Sequence, residues 1–154
     1  MKNKKKINSA LRLKWAVICR GVSVDQKSGL ISIFNIIEEI CLRSKNDLPS
    51  KLTIPVDMNL VVNFELNDIT PLSIFNPFMK VVILNPKEEK LGEREIRINF
   101  DNNKDKHLRV IIGFDNFNIV EYGRYEFVIY VKDEDGLDYE KIGSTSIDIK
   151  KDNQ

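Results

Sequence analysis

One histidine and two cysteines make up the chain's whole supply of imidazole and thiol. His107, Cys19 and Cys41 are too few to complete a tetrahedral zinc site. Cys41 and His107 are the pair a thiol nucleophile and its base would need. Cys41, however, is read with the apolar residues of 37–42, Ile37, Ile40 and Leu42, as a buried thiol of the inert kind, and His107 follows a charged loop, as a solvated residue at a strand entry does. Oxygen donors are densest in Asp133-Glu134-Asp135-Gly136-Leu137-Asp138. A helix–loop–helix calcium site needs ligands at alternate positions and a bidentate glutamate at the twelfth; counted from Asp133, that position is Ser144. A looser calcium or small-ligand site at Asp133, Asp135 and Asp138 stays open if Asp25, Asp101 and Asp105 converge there, against the plainer reading of a solvated hairpin tip. None of the seven glycines falls in a phosphate-cradling or nucleophile-elbow pattern. The expectation is a protein without catalytic activity and without a cofactor.

Charge narrows the partners. Lys and Arg total 24 against 23 Asp and Glu, a formal net charge of +1, so the bulk positive charge of a nucleic-acid binder is missing. The first twenty residues do carry Lys2, Lys4, Lys5, Lys6, Arg12, Lys14 and Arg20 with no acid. Such an arm suits nucleic acid or an anionic membrane, but with Trp15 as its lone aromatic it reads as a solvated tail. Arg12 and Lys14 interrupt the only stretch resembling a signal peptide, and no apolar run reaches the ~20 residues needed to span a bilayer. A cytoplasmic protein with two reduced, buried thiols is expected, with no nucleic-acid partner and no membrane span.

The elements that must position these residues are strands. Apolar side chains recur at every second position in Met58, Leu60, Val62, Phe64 and Leu66, and again in Tyr125, Phe127, Ile129 and Val131. Period two places each row on one face of an extended chain. Alanine occurs twice, at Ala10 and Ala16, while β-branched and aromatic residues abound, which favours sheets over helices. The pattern predicts about eight strands at 13–24, 30–42, 56–66, 78–84, 95–100, 108–117, 124–132 and 138–150, with room for a short helix near 67–77 or 87–95. Short polar turns join them, as in an antiparallel two-sheet sandwich of immunoglobulin-like or C2-like type. With 154 residues, 42% hydrophobic, one domain over 11–150 is expected, flanked by a basic tail at 1–10 and a short tail at 151–154.

Four residues are expected to serve the fold itself. Gly29 closes the turn begun at Asp25, and Gly136 follows Asp135 in a type I′ signal. Gly123 stands two residues before Tyr125, which is placed as the tyrosine of a sandwich corner, ring inward and hydroxyl tied to backbone. Where strands are apolar on both faces, something must cover them. Ile111, Val128 and Tyr130 are the outward residues that a partner would touch; the connections 43–55 and 67–77, with Leu48 and Leu52, are the alternative cover.

The stretch Val24-Asp25-Gln26-Lys27-Ser28-Gly29-Leu30-Ile31-Ser32-Ile33-Phe34-Asn35-Ile36, followed by Glu38, Ile40 and Pro49, resembles the opening of a bacterial family of small single-domain proteins grouped as a domain of unknown function. The likeness runs weakly on to Gly123-Arg124-Tyr125 and the final hairpin. It implies a β-sandwich in a bacterial cytoplasm and supplies no activity, cofactor or site residue. The reading that follows is a module acting through protein–protein contact, by a sheet face or an edge strand, with self-association as one form of it.

Overall fold

A computed structural model describes residues 11–43, 47–66, 77–98, 107–132 and 138–152. Alternation becomes strand throughout these segments: β1 (Leu11–Val24), β2 (Ile31–Ile36), β3 (Glu39–Leu42), β4 (Leu52–Leu66), β5 (Phe78–Leu84), β6 (Lys90–Arg97), β7 (His107–Ile119), β8 (Gly123–Lys132) and β9 (Glu140–Lys151). No helix occurs among the described residues. The strands form two sheets, β2-β1-β4-β7 and β3-β9-β8-β5-β6.

The rows read from the sequence are the core. Met58, Leu60, Val62 and Phe64 of the first sheet face Tyr125, Phe127, Ile129 and Val131 of the second, and each is 1% exposed or less. Burying one such side chain stabilises the fold by about 1.5–3 kcal/mol. Rings of β7 cross the gap to β8: Phe117 meets Tyr125 edge-on at 5.3 Å between centroids, and Phe114 meets Phe127 at 5.9 Å, a favoured aromatic geometry. β9 passes close to β1 at Gly143, where a Cβ would lie 2.2 Å from the tip of Leu13.

Several expectations are corrected. The apolar run 30–42 is not one strand. It leaves the first sheet after Ile36, just past Asn35, whose φ of 53° is a left-handed conformation that asparagine tolerates, and enters the second as β3. The strands therefore number nine among the described residues, and β3 pairs with β9 in parallel, an exception to the antiparallel rule of the rest. The segment 87–95 is not helical. Asn85 accepts from the Lys87 and Glu89 amides at 3.0 and 2.8 Å, and this turn leads directly into β6, which begins at Lys90 rather than at 95. The connection after residue 43 is shorter than expected because β4 begins at Leu52; Leu48 and Leu52 pack against the core. The segment 67–76 lies outside the described residues.

Candidate functional site

Thiol and imidazole are not brought together. His107 pairs through its backbone with Glu65 at one end of β4. Cys41 shares a cleft with Met58, seven residues away along that strand, or about 23 Å. Cys41 is exposed, contrary to expectation, because β3 is an edge strand whose side chain at 41 faces outward beside Glu39; Cys19 is buried, and both are free thiols. Burial raises the Cys19 thiol above its usual range.

Of the acidic candidates, Asp138 is exposed, whereas Asp133, Asp135, Gly136, Asp101 and Asp105 lie outside the described residues. Among the described residues no three His, Cys, Asp or Glu side chains gather as a metal site. Asp25 is engaged within its own turn. One carboxylate oxygen accepts from the amides of Ser28 (2.6 Å) and Lys27 (3.0 Å) and from the Ser28 hydroxyl (2.8 Å). Those bonds, led by the Ser28 amide, hold its carboxyl below the usual range. Gly29 closes the turn at φ +67°.

At the corner before β8, the buried Tyr125 ring sends its hydroxyl back to the chain. The O–H donates to the Glu121 carbonyl (2.7 Å) and accepts from the Val120 and Glu121 amides (3.0 and 3.1 Å). Gly123, at φ +134°, leaves no room for a side chain, since a Cβ there would come within 2.9 Å of the Pro86 ring.

The three proposed contact residues differ sharply. Val128 is 1% exposed, so it offers nothing to a partner. Tyr130 is half-buried with the Lys80 ammonium 5.5 Å from its ring centre. Only Ile111 is open, at 40%. The outer face of the second sheet is instead laced with charge. Arg124 grips Asp148 through two bonds (3.0 and 3.3 Å), and Lys150 meets Glu39 at 2.5 Å. Each bond to its cationic partner pulls the carboxyl, Asp148 or Glu39, below its usual range. Lys80 and Lys132 lie 4.0 and 4.6 Å from the Tyr139 ring centre. Burial, with Glu95 next, pushes the Tyr139 hydroxyl well above its usual range.

Apolar exposure gathers elsewhere. Val24, Leu30, Phe34 and Ile36, 46–67% exposed, all belong to the β1–β2 hairpin. Phe34 packs against the bare backbone of Gly21, its cross-strand partner. Among the described residues β2 pairs with β1 alone, and its six residues, Ile-Ser-Ile-Phe-Asn-Ile, carry no charge. The other edges are defended. β3 has four residues; β6 is studded with Lys90, Glu93, Arg94, Glu95 and Arg97; and the edge of β7 is met at one point, where Arg94 of β6 donates to the Gly113 carbonyl at 2.8 Å. Charge and shortness are the usual protections of an edge, and β2 has neither charge nor a cover among the described residues. Beside it, where β2 gives way to β3, a cleft of about 410 Å³ is lined by Arg20, Ile36, Ile40, Cys41 and Met58 among others.

Phe34 and Ile36, which the sequence marks as one row of a strand apolar on both faces, are more open than Ile111. Among the described residues no helix is long and apolar enough to cross a membrane. No protein-family model matches the chain, and no curated protein matches it either.

Proposed function

We propose that the chain is a non-catalytic β-sandwich that binds another protein by accepting an extended apolar segment along the free edge of β2. One observation carries the reading: four of the five exposed large hydrophobics among the described residues lie on the β1–β2 hairpin, and its outer strand β2 carries no charge, while β3 is short and β6 is charged. An added strand satisfies the idle backbone groups of β2, and Phe34, Ile36 and Leu30 supply the apolar contacts that fix its register. The tied Tyr125 hydroxyl supports reading the sandwich as immunoglobulin-like, and the two free thiols support a reducing cytoplasm.

The test compares proteins retained from native lysate by the full chain and by a Phe34→Lys, Ile36→Lys double variant. An Ile111→Lys variant serves as control. A partner held by wild type and control but lost from the double variant is the expected result; a partner held equally by all three contradicts it.

A further inference from the structure

The β1–β2 hairpin does more than present an edge. β1 pairs with β4 only as far as Cys19, and beyond that it pairs with β2 alone. Continued straight, the hairpin tip would stand ~30 Å from the level of Trp15, counting about ten residues at the rise of a strand. Yet Gly29 at the tip accepts a hydrogen bond from the Arg109 guanidinium. Arg109 belongs to β7 and shares a row with Asn63 of β4 and Trp15 of β1. That row alternates with the core residues Phe64 and Val62, so it lies on the outer face of the first sheet. The hairpin must therefore fold back across this face. Burial agrees: Val61 and Asn63 point outward from β4 yet are 0% and 5% exposed.

We propose that the hairpin beyond Cys19 is a strap that opens and closes over the outer face of the first sheet, with Arg109 as its latch. At its root, Asn59 donates to the Arg20 carbonyl at 3.1 Å, and the pairing with β4 ends at that point, which places the hinge at Arg20 and Gly21. The closed strap leaves Arg109 Nε and Asn63 Oδ1 buried with no hydrogen-bond partner among the described residues. Buried polar atoms left unpaired weaken the state that contains them. Lifting the strap returns both to water and uncovers Val61 beside Val17 and Ile111 of the same row. Opposed gains of this kind are what local, sub-global opening requires. The inference rests on the Arg109 latch and the unpaired atoms, not on the existence of a partner.

Trp15 is the chain's only tryptophan and lies in the latched row, so its acrylamide quenching reports the strap. Arg109→Met removes the latch donor and keeps an apolar stem. Gly29→Val acts at the tip, straining a φ of +67° where a side chain meets nothing within 4 Å. Both variants should raise the quenching constant about twofold or more with unchanged far-UV dichroism. Wild-type quenching in both overturns the strap. A rise in Arg109→Met alone also overturns it, because the effect then belongs to the arginine itself. Should either variant fail to fold, hydrogen exchange on the wild-type chain decides. Hairpin amides exchanging together, about tenfold ahead of the β1–β4 ladder, support the strap; exchange in step with that ladder overturns it.

Discussion

The Tyr125 hydroxyl makes three hydrogen bonds to the two residues before the β8 corner, while its ring is fully buried against Phe117. Removing the oxygen leaves the Val120 and Glu121 amides without their acceptor but keeps the ring. Tyr125→Phe should therefore cost about 1–3 kcal/mol, read as a lower denaturation midpoint with an unchanged slope. A cost under a few tenths contradicts the corner's role. This residue was legible in the sequence because a glycine two positions ahead and an alternating apolar row marked it. Arg109 was not. It sits in an apolar stretch as an ordinary strand residue, and its importance comes from Gly29, eighty positions away in sequence. Val128 misled for the opposite reason: alternation gives direction, not cover, and a residue pointing away from the core is 1% exposed all the same.

Among the elements, the long central strands were the most readable, since β4 and β8 each bury one face against the opposite sheet and alternate accordingly. The break between β2 and β3 was not. Residues 30–42 are mostly apolar, interrupted by Ser32, Asn35, Glu38 and Glu39, and the change of sheet falls between Ile36 and Glu39, just past the left-handed residue Asn35. β6 was displaced because an edge strand full of charge shows little alternation, with Leu91 and Ile96 its only inward apolar residues. The β8 entrance supplies an element-scale prediction. Gly123→Ala strains a φ of +134° and presses the new methyl on Pro86, so it should destabilise by about 1–3 kcal/mol. Gly92→Ala in β6, with nothing within 4 Å, should fall within about 0.5 kcal/mol of wild type. Thermal melts of the two variants check the contrast; equal melting temperatures contradict it.

Across the whole molecule, the two outer faces differ in kind. The second sheet shows water a lattice of ion pairs, each worth little alone but together unsuited to an apolar partner. The first sheet meets the tip of its own hairpin through Arg109 and Gly29, and the hairpin leaves Phe34 and Ile36 exposed. Composition predicted a soluble β-domain and could not predict this asymmetry, which arises from strand order and from the folding back of β1 and β2. The account stands on the free edge of β2 as the contact surface. Its most direct test is amide hydrogen exchange of the chain with and without the protein retained in the lysate experiment. New protection confined to residues 31–36, slowed about tenfold or more as ladder bonds form, is the predicted result. Protection on β8 and β9 with β2 unchanged contradicts it.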